Sequence, residues 1–118
     1  MTIDRKFPPH IYLIAGEESG DRLGSSLMQS LKQKTAENIH FSGVGGTSMT
    51  AEGIQSLFPM EDLAVMGLSE ILPRIPKLID RLNYVVKNIL EVMPDLLVTI
   101  DSPDFNFRVV HRLARCNI

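Results

Sequence analysis

The stretch His10-Ile-Tyr-Leu-Ile-Ala-Gly-Glu-Glu-Ser-Gly-Asp21 decides the fold class. It opens with a short, continuous apolar run that ends at Gly16, which is typical of a parallel strand covered on both faces. A helix is predicted to follow from about Gly20 to Lys34, with Ser19 as its capping residue and Asp21 in its first turn. Its predicted inner face carries leucines at every fourth position, namely Leu23, Leu27 and Leu31.

The alternation of strand and helix continues along the rest of the chain. The predicted elements are a strand at 39–43, a short helix at 47–53, a strand at 54–58, a helix between Pro76 and Pro94, a strand at 95–100 and a helix from Ser102 to about Arg115. Right-handed crossovers turn this order into an α/β fold, a Rossmann-like parallel sheet with helices on both faces. The chain ends where another strand is expected, which indicates truncation; the natural end of a small flavodoxin-like domain is the alternative.

Composition limits the classes of function. A length of 118 residues fits one domain, and 44% hydrophobic with 22% charged residues is the profile of a soluble globular protein. The net charge of −2 provides no basic field, so no nucleic-acid partner is expected. The single Cys116 indicates a reducing compartment, with the cytoplasm as the default. No run approaches the ~20 apolar residues of a membrane span, so the chain is expected to touch a membrane at most.

Two glycine-containing loops are candidate ligand sites, because open parallel sheets bind ligands beyond the carboxyl ends of their strands. Gly16 and Gly20 flank the first loop and permit close approach to free amides at a helix start, which suit a phosphate or sugar oxygen. A plain capped turn explains this loop equally well, and it lacks the spacing of a dinucleotide site or a P-loop. Gly45 and Gly46, with Gly43 before them, predict close approach of a ligand or of another backbone.

The segment Asp101-Ser-Pro-Asp-Phe-Asn106 follows the last predicted strand. Asp101 falls at the carboxyl end of that strand, where a carboxylate can face a substrate. An Asx-type bond to the following turn is the alternative for Asp101. Asp104 is explained as a first-turn acid that complements the helix dipole. The spacing is not the Asp-x-Asp of a metal–nucleotide site, and no His or Cys cluster has metal-ligand spacing, so no metal is expected.

A third kind of surface is predicted between Leu63 and Arg81. This apolar, proline-interrupted stretch includes Val65, Met66 and Leu68 and is flanked by basic residues, a combination that suits an anionic membrane interface. The core of a kinked helix pair explains the same residues equally well.

Four segments together resemble the lipid-A-disaccharide synthase family. Each is weakly specific alone, but their order and spacing are specific, and the resemblance runs from Ile11 to at least Asn106. The segments are Ala15-Gly-Glu-Glu-Ser-Gly-Asp-Arg-Leu-Gly24, Gly43-Val-Gly-Gly-Thr-Ser-Met49 with Glu52-Gly53, Met66-Gly-Leu-Ser-Glu-Ile-Leu72 and Asp101-Ser-Pro-Asp-Phe-Asn106.

The resemblance implies an inverting glycosyltransferase of the GT-B type, with two Rossmann-like domains. Such an enzyme joins UDP-2,3-diacylglucosamine to 2,3-diacylglucosamine 1-phosphate, giving the β-1,6 lipid A disaccharide and UDP. It works without a metal or other cofactor, peripherally, on the cytoplasmic face of the inner membrane in Gram-negative bacteria. Residues 1–118 would be the N-terminal, acceptor-side domain, inactive alone because the donor-binding domain is absent.

The resemblance also implies roles for individual residues. Asp101 matches the candidate general base, which would take the proton of the attacking sugar hydroxyl. Substrate contacts are expected at Gly16, Ser19, Gly20, Gly45, Gly46 and Asn106.

The sequence bears on two other classes of function. A nucleotide- or phosphate-binding α/β module without catalysis is the alternative that the glycine loops leave open. A receiver-like signalling domain would need an acidic cluster and a lysine at other strand ends, and the sequence has neither.

Overall fold

The computed structural model describes residues 8–63 and 75–116. Its described strands form one parallel sheet in the order β2-β1-β3, and each of these strands is followed by a helix. The Rossmann-like α/β fold is thereby confirmed. The elements are β1 (His10–Ala15), α1 (Glu18–Lys34), β2 (His40–Val44), α2 (Thr47–Ala51), a 3-10 turn (Met60–Leu63), α3 (Ile75–Val92), β3 (Leu96–Ile100) and α4 (Pro103–Arg115).

Strand β1 forms the centre of the core. It pairs with β2 on one side and with β3 on the other, and Tyr12, Leu13 and Ile14 are fully buried. The phenol of Tyr12 donates a hydrogen bond of 2.7 Å to Oδ1 of Asn88 on α3, which satisfies its polar end inside an apolar environment. Because all pairings are parallel, the carboxyl ends of the three described strands lie at one edge of the sheet.

The inner face of α1 differs from the predicted leucine stripe. The helix begins at Glu18, so Ser19 lies inside its first turn instead of capping it. The prediction was also wrong for Leu23, which is 64% exposed. Small residues are needed where α1 approaches α2, because a Cβ atom on Gly24 would lie 2.6 Å from the sulfur of Met49. The buried face consists of Gly20, Asp21, Gly24, Ser25 and Met28.

The segment predicted as a strand at 54–58 is not one. A single isolated bridge joins Ser56 to Gly43 of β2, and no ladder forms. The hydroxyl of Ser56 instead donates to the carbonyl of Phe58 at 2.6 Å and accepts from the amide of Gly45 at 3.1 Å. Ile54 and Phe58 are buried, so the apolar residues of this segment indicate burial but do not indicate a strand.

The long helix α3 confirms its predicted face, since Leu82, Val85, Val86 and Ile89 are buried. Met93 does not belong to that face. It is 61% exposed and has a φ of 46°, in the left-handed region, as the chain leaves the helix before Pro94.

Strand β3 was expected to be buried and is partly exposed. Leu96 is 55% exposed, and Thr99 also faces outward. The strand pairs only with β1 among the described elements, which explains why its side chains are less covered than those of the central strand.

Candidate functional site

Three loops meet at the carboxyl edge of the sheet, each directly after a strand. The first begins at Gly16 after β1, the second contains Gly45 and Gly46 after β2, and the third is Asp101-Ser102 after β3. Parallel pairing therefore brings together residues that are far apart in the sequence. This edge contains the predicted site residues except the membrane-contact set.

The side chain of Asp101 turns toward the first loop. Its Oδ1 accepts a hydrogen bond of 2.7 Å from the amide of Gly16, a residue 85 positions earlier in the chain. The alternative of an Asx-type bond to the following turn is therefore wrong. Its Oδ2 is buried and has no hydrogen-bond partner within residues 8–63 and 75–116. One carboxylate oxygen is fixed, and the other keeps its full capacity to accept a proton or a hydrogen bond.

The first-loop glycines leave room for this turn. A Cβ atom on Gly20 would lie 1.8 Å from Oδ2 of Asp101, and one on Gly16 would lie 1.8 Å from the hydroxyl oxygen of Ser102. Alanine at Gly20 would therefore require the Asp101 side chain to move, and alanine at Gly16 would require the Ser102 side chain to move. The predicted close approach is real at both glycines, and the approaching group is the Asp101-Ser102 turn.

The backbone of this turn is strained. Asp101 and Ser102 have φ values of 54° and 41°, so two successive non-glycine residues occupy the left-handed region. Each such conformation costs on the order of 1–3 kcal/mol, and such strain is common at functional sites. Ser102 precedes α4 as predicted, but its side chain makes no capping hydrogen bond. With this backbone conformation, the Asp101 carboxylate lies against Gly16 and Gly20 of the first loop.

Asn106 supports the turn from the first part of α4. It is 3% exposed, and its Nδ2 donates a hydrogen bond of 2.7 Å to the carbonyl oxygen of Asp101. Its Oδ1 is buried without a partner in the described part of the chain. Buried polar atoms are rarely left unpaired, so this oxygen and Oδ2 of Asp101 are two acceptors whose capacity is not used by the described residues.

Asp104 is separate from this arrangement. It lies in the first turn of α4, and its side chain is 94% exposed. Its nearest oxygen is 4.0 Å from Nε of Arg108, one turn further along the helix. This placement agrees with the predicted first-turn acid.

The second loop uses its amides within the protein. The amide of Gly45 donates to the Ser56 hydroxyl at 3.1 Å, and the amide of Gly46 donates to Oδ1 of Asp21 at 2.8 Å. A ligand would have to replace these bonds to use the same amides. Their predicted substrate contacts, like those of Ser19, remain predictions.

Asp21 is the residue whose role the sequence interpretation missed. It does lie in the first turn of α1, but its carboxylate points to α2, where it also accepts from the amides of Ser48 and Met49, both at 2.9 Å. It is only 4% exposed. A signal was present, because position 21 shares a helix face with Met28, and an acid on a buried face needs partners.

The predicted membrane-contact residues Val65, Met66 and Leu68 lie outside the described residues. Two basic residues of that stretch are described. Asp62 binds Nζ of Lys77 at 3.2 Å and Nε of Arg81 at 2.8 Å. Burial opposes the ionised form of Asp62, but the hydrogen bonds and charges of these two cations outweigh it and lower its pKa.

Within residues 8–63 and 75–116, no group of three or more His, Cys, Asp or Glu side chains could hold a metal ion. No helix in this described part of the chain is long and apolar enough to cross a bilayer.

An open parallel sheet with glycine loops and a half-satisfied carboxylate at its carboxyl edge places the chain in the Rossmann-like class of α/β domains. Residues 11–118 match the family model described as "Lipid-A-disaccharide synthetase", and the chain therefore belongs to that family.

The relatives agree with the family model. The chain is 55% identical over 108 residues to the lipid-A-disaccharide synthase of Rhodospirillum centenum, covering 92% of this chain and 27% of the relative. It is 57% identical over 99 residues to that of Paramagnetospirillum magneticum, with 84% and 25% covered. The figures for Azotobacter vinelandii are 54% over 108 residues, with 92% and 28% covered. The chain thus spans about a quarter of the length of these relatives.

Proposed function

We propose that the intact protein is an inverting glycosyltransferase of lipid A biosynthesis, in which this chain forms the acceptor-side domain. It joins UDP-2,3-diacylglucosamine to 2,3-diacylglucosamine 1-phosphate and produces the β-1,6-linked disaccharide and UDP. Family membership supports this assignment. The observation that carries the chemistry is Oδ2 of Asp101, a buried carboxylate oxygen without a partner in the described structure.

In this proposal Asp101 is the general base. The acceptor's sugar hydroxyl attacks the anomeric carbon of the donor, a new C–O bond forms, and the bond to UDP breaks. The hydroxyl proton passes to Oδ2 of Asp101, while UDP leaves with the electron pair of the broken bond. The amide of Gly16 holds Oδ1 at 2.7 Å, which keeps the carboxylate oriented during the transfer.

Asn106 is assigned to substrate binding in the same proposal. Its unpaired Oδ1 is a suitable acceptor for a hydroxyl or amide group of the acceptor sugar. Its Nδ2, bound to the Asp101 carbonyl at 2.7 Å, fixes the turn that carries the base. The same side chain would then join substrate recognition to base placement.

The observed hydrogen bonds argue against the phosphate-binding alternative. A phosphate in a glycine loop needs free backbone amides. The amides of Gly16 and Gly46 donate to carboxylates, and that of Gly45 donates to a serine hydroxyl. A carboxylate already present at such amides would repel an anion.

The remaining parts of the proposal concern the whole protein. The donor-binding domain would come from the length that the relatives have beyond this match. The acylated substrates place the enzyme at a membrane, and we propose the cytoplasmic face of the inner membrane, reached through Val65, Met66 and Leu68. Changing these three residues to Ser should weaken sedimentation with anionic vesicles. Unchanged binding by a folded variant would contradict this surface.

The activity is tested with the intact protein and both purified lipids. UDP release should require both lipids and should be accompanied by the disaccharide. Donor alone and acceptor alone are the matched controls. UDP release from the donor alone at the same rate, or no disaccharide with both lipids present, would contradict the proposal.

A further inference from the structure

Asp21 joins the first two loops of the site. Its Oδ1 accepts from the amides of Gly46 at 2.8 Å and Met49 at 2.9 Å, and its Oδ2 accepts from the amide of Ser48 at 2.9 Å. All three amides belong to the start of α2, whereas Asp21 belongs to α1. The carboxylate therefore caps a helix other than its own.

Helix α2 depends on this external cap. It has five residues, and its N-cap residue Gly46 has no side chain with which to bind the free amides. Such a short helix is unstable alone because few hydrogen bonds compensate for its nucleation. The fit is also close, since a Cβ atom on Gly46 would lie 2.8 Å from Oδ2 of Asp21. The second loop is consequently fixed relative to α1.

The same anchor reaches Asp101 through the neighbouring residue. Gly20 immediately precedes Asp21, and its Cα lies against Oδ2 of Asp101, where a Cβ atom would come within 1.8 Å. A shift of Asp21 must also move Gly20, which packs against the unpaired carboxylate oxygen of Asp101. We infer that Asp21 is a positioning residue that acts on Asp101 through Gly20, an inference that rests on the proposed function.

The test compares Asp21→Asn with Thr50→Ala in the intact protein. Asparagine keeps one acceptor oxygen, but its NH2 group faces at least one α2 amide, and two donors cannot bind each other. The attachment of α2 to α1 is therefore weakened. We expect kcat to fall by roughly 10- to 100-fold through misplacement of the base, with both KM values nearly unchanged. Thr50→Ala removes a bond of 2.8 Å within α2, from the Thr50 hydroxyl to the Gly46 carbonyl, and should leave kcat near normal.

A double-mutant cycle tests whether Asp21 acts on kcat through Asp101. If Asp21 acts through Asp101, Asp21→Asn should cause little further loss of kcat in an Asp101→Asn background. Asp21→Glu, which keeps the charge but lengthens the side chain, provides a milder displacement for the same cycle should Asp21→Asn fail to fold.

The outcomes separate the two proposals. Normal kcat with a lowered melting temperature in the Asp21 variants would show a purely structural role, and full additivity with Asp101→Asn would show a different route. Either result overturns the inference. Normal kcat in Asp101→Asn alone would instead overturn the assignment of the base, and with it any route from Asp21 to the base.

Discussion

Asp21 and Asp101 are the same chemical group at the same edge of the sheet, and both lie against glycines and accept backbone amides. They differ in how far their oxygens are satisfied. Asp21 uses both oxygens to accept three amides, whereas Asp101 accepts one amide and keeps Oδ2 without a partner in the described residues. Burial and neighbouring glycines therefore do not distinguish these two carboxylates. Remaining acceptor capacity does.

Removing the proton acceptor at Asp101 tests this distinction most directly. Asp101→Asn in the intact protein keeps the size of the side chain and the bond from Gly16, but it should lower kcat by roughly 10²–10⁴-fold, as measured by UDP release with both lipids. Asp104→Asn is the matched control, because its side chain is 94% exposed, and it should leave kcat near normal. An active Asp101→Asn enzyme beside an inactive Asp104→Asn enzyme would show that the base was assigned to the wrong carboxylate.

The second prediction concerns a substitution that displaces the Asp101 carboxylate without removing it. Gly20→Ala introduces a Cβ atom 1.8 Å from Oδ2 of Asp101, so the side chain must move and kcat should fall by roughly tenfold or more. Met28→Ala, on the same buried helix face, should cost about 2–5 kcal/mol of stability while leaving kcat of the folded enzyme unchanged.

Unfolding curves beside the kinetics separate the two effects. Equal loss of kcat in both variants would mean that the Gly20 effect is one of stability alone.

The third prediction concerns the backbone strain in the turn formed by Asp101 and Ser102. Ser102 has a φ of 41°, which glycine adopts more easily than serine or alanine. Ser102→Gly should therefore be more stable than Ser102→Ala by about 1 kcal/mol in denaturant unfolding. Both variants remove the hydroxyl, so the difference isolates the backbone. Equal stabilities would indicate that the left-handed turn carries no strain.

The smallest effect is expected at a third carboxylate, Asp62, whose partners are side-chain cations. Its lowered pKa means that its contribution to stability is present at neutral pH and is lost as pH falls below its ordinary value of 3.8 and through its folded value. Asp62→Asn should be less stable than the parent by about 0.2–1 kcal/mol near pH 7. This difference in stability between Asp62→Asn and the parent should disappear under more acidic conditions. A gap that is independent of pH would exclude ionisation as its cause.

The sequence predicted the elements that local pattern determines. The continuous apolar run of β1 and the three- and four-residue spacing on α3 are signals carried by neighbouring residues, and both predictions were confirmed. The segment at 54–58 was wrong because apolar residues are buried in loops as well as in strands. Leu23 was wrong because small residues, not leucines, allow α1 to approach α2.

The site was predictable in position but not in its bonding. The location of Asp101 at a strand end follows from the alternation of elements. Its bond to Gly16 joins residues 85 positions apart, and the bonds of Asp21 join residues 25–28 positions apart. Packing between these distant segments determines which carboxylate oxygens have hydrogen-bond partners. A local sequence pattern does not predict this packing.

The buried Tyr12 on the central strand also sets a limit at the alkaline end of the pH range. Burial, more than the influence of nearby Tyr84, raises the pKa of its phenol well above the ordinary 10.0, so the folded domain holds the proton that the unfolded chain releases. Stability from this group is complete below the ordinary value and declines as pH rises above it. Tyrosinate absorbance from Tyr12 should consequently appear at higher pH in the folded domain than in the unfolded chain, which makes this side chain an optical reporter of the fold.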